Sequence, residues 1–161
     1  MNKFWIATAS GLLAALVAPL APAKAALTAQ PIELKGNVKL DKVVIEQGRE
    51  THVMVEPTVV VPGDKLVFAT AYRNTGASAV SNFVVTNPIP AGVMLAPEGT
   101  AQADVSVDGG KSWGKLVNLT VAGPGGTKRP AQSGDVTHVR WTLATVAAGA
   151  TGTLTYRGIV R

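Results

Sequence analysis

The decapeptide Lys65–Asn74, KLVFATAYRN, alternates without a break. Leu66, Phe68, Thr70 and Tyr72 occupy one set of positions, and Val67, Ala69, Ala71 and Arg73 the other. Successive side chains of an extended chain leave on opposite sides, so the pattern predicts a β-strand with one buried face. Pro62-Gly63-Asp64 punctuates its start and Asn74-Thr75-Gly76 its end, with Gly76 suited to the positive φ of a turn.

Outward from this strand the same period recurs, and no helical period survives beyond a turn. Val80 to Thr86 forms the next strand, stopped at Asn87-Pro88-Ile89-Pro90-Ala91-Gly92, where two prolines remove backbone donors. Val139, Trp141 and Leu143 alternate with His138, Arg140 and Thr142, and Leu154, Tyr156 and Val160 share a face of the last strand. The link between them, Ala148-Gly149-Ala150, is short enough to predict an antiparallel pair. Upstream, Val38 to Glu46 and Thr51 to Glu56 flank Gln47-Gly48-Arg49-Glu50 as a hairpin, and Gly123 to Asp135 reads as a surface loop. The series predicts an all-β, immunoglobulin-like antiparallel β-sandwich with an additional N-terminal hairpin and a long inserted hairpin and loop over 101–135.

The first 25 residues stand apart. Lys3 precedes an apolar run from Phe4 to Leu20, Pro19 and Pro22 interrupt it, and Ala23-Lys24-Ala25 places small side chains where signal peptidase needs them. A spanning helix needs roughly 20 predominantly apolar residues, and this stretch is shorter and broken by proline. The reading is a signal peptide over 1–25, cleaved between Ala25 and Ala26, followed by one domain over 26–161. The product is expected to be exported to the periplasm or secreted, with the cell surface also open, and without a membrane span after processing. The chain contains no cysteine, so the exported domain must hold together by packing alone. Of the formal charge of +5, Lys3 and Lys24 belong to the leading segment, and Lys128-Arg129 is the sole adjacent basic pair. That distribution lacks the clustered basic face of a nucleic-acid binder.

Two segments carry a family likeness. VVPGDKLVFATAYRNTGASAVSNFVVTNPIPAGV (Val60 to Val93) and WTLATVAAGATGTLTYRGIV (Trp141 to Val160) resemble a repeat domain of bacterial cell-surface proteins known as domain of unknown function 11. The shared pattern is a Pro-Gly-Asp turn, an alternating strand, Asn-Thr-Gly, a strand ending in Asn-Pro-x-Pro-Ala-Gly, and a closing Trp strand with an Ala-Gly turn. The resemblance implies an immunoglobulin-like sandwich on an exported protein without enzymatic activity. It transfers no binding site.

Residues with chemical potential are few. Ser106, Asp108, Gly110, Ser112 and Trp113 fit the Asp-box pattern S-x-D-x-G-x-S-W, in which a carboxylate accepts N–H groups of its own turn and the indole packs over it. The expected role is structural. His52 and His138 lack metal-ligand spacing, the serines lack a nucleophile elbow, and Asp104, Asp108, Glu33, Glu46, Glu50 and Glu56 show no selected pair. The expectation is therefore no catalytic residue, no metal and no cofactor. Trp141 and Tyr156 are assigned to the core, leaving Trp113 as the one aromatic platform for a sugar. Lys39, Asp41, Lys42 and Glu46 are read as charges guarding an exposed sheet edge. The function expected is an exported, non-enzymatic structural or interaction module of the bacterial cell envelope whose partner is a protein. A carbohydrate-binding module is the alternative.

Overall fold

The computed structural model describes residues 31–98 and 103–161. The expected processing site at Ala25 and Ala26 lies outside the described residues. Ten strands follow in order: β1 (Ile32–Glu46), β2 (Arg49–Val55), β3 (Lys65–Asn74), β4 (Val80–Pro88), β5 (Val93–Leu95), β6 (Asp104–Ser106), β7 (Thr120–Ala122), β8 (Lys128–Pro130), β9 (His138–Val146) and β10 (Thr151–Val160). One sheet has five strands in the order β2-β1-β3-β10-β5, a second has three in the order β4-β9-β6, and β7 and β8 form a small ribbon. Every pairing is antiparallel. The architecture is an all-β sandwich of two unequal sheets.

The core sits between β3, β10 and β5 on one side and β4, β9 and β6 on the other. Phe68 of β3 stacks on Tyr156 of β10 with ring centroids 4.5 Å apart and planes within 3°. Trp141 of β9 meets Tyr156 from the opposite sheet at 6.3 Å. Tyr156 is 2% exposed and Trp141 7%, as the alternation of each strand predicts. The Tyr156 hydroxyl still donates to the Pro88 carbonyl (3.2 Å), and burial pushes the phenol up to about 12. Close approach is secured by glycine: a Cβ on Gly152 would strike the Tyr72 phenol, and one on Gly158 would strike the Val93 side chain.

Four expectations from the sequence need correction. First, β9 and β10 are not a hairpin pair but lie in different sheets, and the Ala147–Ala150 link carries the chain across the core. Trp141 and Tyr156 must face each other, which two strands adjacent in one sheet could not arrange. Second, Gly123 to Asp135 is not wholly a loop, because Lys128–Pro130 pairs with Thr120–Ala122. The ribbon is almost entirely exposed, so no apolar period marks it. Third, the N-terminal hairpin turns on two residues, Gln47 (φ 53°) and Gly48 (φ 76°), with Glu46 opposite Arg49. Both φ values are positive, the geometry that matches the twist of flanking strands. Fourth, Gly76 does not take a positive φ; a Cβ there would lie 2.7 Å from the Pro31 ring.

β4 shows how a strand can break its own period. Asn82 has φ 53°, and both Val80 and Phe83 pack on the core although they stand three positions apart. Asparagine tolerates the left-handed region better than a branched residue does. The bend returns Val80 inward opposite Val146, which is itself buried.

Trp141→Ala would open a cavity against Tyr156. The expected loss is about 3–5 kcal/mol, read as a lower urea midpoint with an unchanged m-value.

Candidate functional site

Two polar constellations and one apolar surface stand out. The Asp-box turn is the first. It joins β6 to Gly114, which returns to pair with Val105 through N–H···O bonds of 2.8 and 3.1 Å. Ser106, fully buried, donates from Oγ to Asp108 Oδ1 (2.7 Å) and accepts the Gly110 N–H (2.8 Å). Asp108 Oδ1 also accepts the N–H groups of Lys111 (3.0 Å) and Ser112 (2.9 Å), and Oδ2 accepts the Ser112 hydroxyl (2.6 Å). Those donors, the Ser112 hydroxyl foremost, hold the Asp108 carboxyl well below the usual carboxylate range. Its acceptor capacity is used within the turn, and among the described residues no three His, Cys, Asp or Glu side chains gather as a metal set.

Gly109 and Gly110, both at positive φ, let the turn close. Trp113 then folds back and donates from Nε1 to the Gly110 carbonyl (3.0 Å). One ring face is taken by the Arg140 guanidinium, 4.4 Å from its centroid, and His138 meets the indole edgewise at 6.3 Å. Arg140 in turn neighbours Asp104, 3.7 Å away, which also pairs with Lys115 at 3.4 Å. The structure thus brings Ser106, Asp108, Gly110, Ser112 and Trp113 together as one closed unit with a half-buried indole. The arrangement builds a rigid turn in which one face of the indole is occupied.

The second constellation was not foreseen. Asp41 of β1 has a side chain only 1% exposed, yet it is charged: His52 Nδ1 lies 2.7 Å from Oδ1 and Arg157 Nη1 donates to Oδ2 at 2.9 Å. His52 is one strand away on β2, and Arg157 comes from β10, 116 residues along the chain. The His52 hydrogen bond, aided by Arg157, holds the Asp41 carboxyl below its ordinary range against the opposing effect of burial. Sequence spacing carries no sign of the Arg157 contact. The sequence makes Asp41 a guard of an exposed edge, but at Asp41 itself β1 has β2 on one side and β3 on the other, whereas Lys39 borders the stretch that β2 leaves free. Lys39 pairs with Glu56 at the same end.

The apolar surface surrounds this buried charge. β1 pairs with β3 only as far as Asp41, opposite Lys65, whereas its pairing with β2 runs on from Leu40 to Glu46. Beyond Asp41 the hairpin is therefore a two-stranded arm with no third strand beside it. Val43, Ile45 and Met54 lie on one face of that arm, together with Asp41 and His52. Ile45 is 66% exposed, and Val59, Val60 and Val61 of the following strap are exposed as well, Val59 at 76%. Six of the nine exposed large apolar side chains among the described residues lie on the arm and strap. A groove of about 460 Å³ runs between them, lined by Val43, Val59, Val61 and the Asp41 region. No family model, curated protein or solved structure matches the chain.

Two outcomes test these assignments. Calcium should leave the melting temperature of the wild type unchanged, and Asp108→Ala should lower it with or without calcium; a calcium shift lost in the variant would make the turn a metal site. Acid should destabilise the domain. Asp41, Asp108 and Asp135 all have lowered pKa values in the fold. Their contribution is fully present above the unfolded carboxylate range and is lost as pH falls through the folded values. The urea midpoint should therefore drop between neutral pH and about pH 3, and Asp41→Asn should flatten that dependence. At neutral pH Asp41→Asn should cost about 1–3 kcal/mol, short of a fully buried pair because His52 and Arg157 stay half in water.

Proposed function

We propose that this protein is an exported, non-enzymatic interaction module of the bacterial cell envelope, and that the β1–β2 arm with its Val59–Val61 strap is its contact surface. The concentration of exposed apolar side chains on the arm is the observation that carries the reading. Soluble monomers rarely leave contiguous apolar patches of this kind without a use for them. The likeness to domain of unknown function 11, with its immunoglobulin-like sandwich and surface-exported context, supports the same reading, as does the signal-like segment over 1–25.

Charge favours a protein partner. Lys39, Lys42, Arg49, Lys65 and Arg157 around the arm are balanced by Asp41, Glu46, Glu50, Glu56 and Asp64. Anionic lipid or nucleic acid would select one dominant sign, whereas an apolar centre with a mixed polar rim is the anatomy of a protein interface. The carbohydrate alternative draws no comparable support, since Arg140 covers one face of Trp113.

A photo-crosslinking residue introduced at Ile45 in the native host should capture a defined protein, and one at Val117, exposed on the far part of the chain, should not. Capture of glycan instead, with Trp113→Ala abolishing it, would transfer the function to the Asp-box side.

A further inference from the structure

Four strands stand last in the two main sheets, β2 and β5, β4 and β6, and past the short β5 and β6 the outer sides of β10 over Thr151–Tyr156 and of β9 over Trp141–Val146 pair with no described strand. Three of them carry a device that discourages further pairing. β5 and β6 are three residues long. β4 is bent at Asn82 and ends in Pro88. Such shortening, bending and proline placement are how folded proteins blunt a sheet edge. β2 has none of them: seven residues, RETHVMV, with no lysine, proline, glycine or positive φ. Where β2 ends, the free side of β1 resumes the protection with Lys35, Gly36 and Lys39.

The hairpin turn dictates which backbone groups that edge presents. Glu46 and Arg49 close a two-residue turn and so exchange hydrogen bonds, as do the pairs two steps on, Val44 with Thr51 and Lys42 with Val53. The N–H and C=O groups of Glu50, His52 and Met54 consequently face away from β1. These three positions are symmetric about His52. A second β2 laid antiparallel across a two-fold axis at His52 would match Glu50 to Met54, His52 to His52 and Met54 to Glu50, satisfying every outward group. In that register Glu50 lies opposite an apolar partner and diagonal to the other copy's imidazole, while neither the two Glu50 nor the two Arg49 side chains oppose each other. Thr51 meets Val53, a β-branched pair suited to cross-strand contact. Each His52 is already turned to its own Asp41.

We infer that β2 pairs with β2 of a second copy of this chain, joining two five-stranded sheets into one continuous sheet and merging both apolar arm faces into a single strip. The inference rests on the reading of the arm as a contact surface and names its partner. A two-fold, self-complementary interface is the commonest way for a chain to associate with itself.

Sedimentation equilibrium of the purified chain should show a concentration-dependent dimer. Met54→Pro removes an outward donor at no cost to the β1–β2 ladder, so it should shift the equilibrium to monomer while the circular dichroism spectrum is kept. The chain has no cysteine, so His52→Cys should form a disulfide-linked dimer on mild oxidation. Opposed Cα atoms in such a pair lie about 5.5 Å apart, within disulfide reach. Val117→Cys should oxidise far more slowly to a dimer. A wild type that stays monomeric at every concentration overturns self-pairing, as does a dimer that Met54→Pro leaves intact. If such a monomer still yields a defined protein crosslinked at Ile45, only the choice of partner has failed; if that crosslink is missing too, the contact-surface reading fails with it.

Discussion

Three strands cannot cover five. The shorter sheet lies over β3, β10 and β5, and among the described residues the other two strands of the larger sheet, apart from Ile32 at the start of β1, have no layer opposite them. The position of the core follows from that mismatch. Where two sheets face each other, Phe68, Tyr156 and Trp141 fill the space between them. Leu34 of β1, on the same face as Phe68, is left about half exposed by the described residues. Past Asp41 even the neighbour on the β3 side is lost, and Val43, Ile45 and Met54 stand in water.

The two sheets are tied at one corner. Asn74, fully buried, donates from Nδ2 to the carbonyls of Val146 and Ser78, each at 2.9 Å, and accepts the Gly76 N–H at 3.0 Å. Its own backbone binds Ala150 and Gly149. Two of the chain crossings between sheets, β3 to β4 and β9 to β10, therefore pass through a single amide that satisfies otherwise orphaned groups. Losing it would leave buried carbonyls unpaired, a penalty of about 1–3 kcal/mol for each group. The opposite end of the larger sheet is held by charge, with Asp41 drawing β1, β2 and β10 together on the face turned away from the core. The rigid corner and the charged clamp leave the arm beyond Asp41 outside the packed core.

Much of this was legible in the residues. Leu66, Phe68, Thr70 and Tyr72 announce a half-buried strand, Trp141 and Tyr156 lie where their alternation places them, and the Asp-box turn could be read because the bonds that Ser106 and Asp108 make within it are local. Contacts between distant segments could not be read. A short link resembles a hairpin whether its strands pair or cross, so the β9–β10 relationship depended on which faces had to meet. Asp41 looks like a solvent-facing charge until Arg157 arrives from the other end of the chain. The arm was hidden for a different reason: Val43, Ile45 and Met54 alternate as core residues do, but they share with Asp41 the face of the sheet turned away from the core. The left-handed Asn82 likewise leaves no mark on a simple two-residue period.

An edge strand bearing unpaired backbone groups beside exposed apolar side chains is the hazard that most β proteins avoid, and here the remaining terminal edges are blunted while this one is kept. The account holds that β2 is kept regular because it pairs. Amide exchange followed residue by residue, on the purified chain at low and at high concentration, addresses that directly. Glu50, His52 and Met54 should gain protection on concentration, whereas the amides of β4 should keep their rates. Equal exchange of those three amides at both concentrations would contradict it.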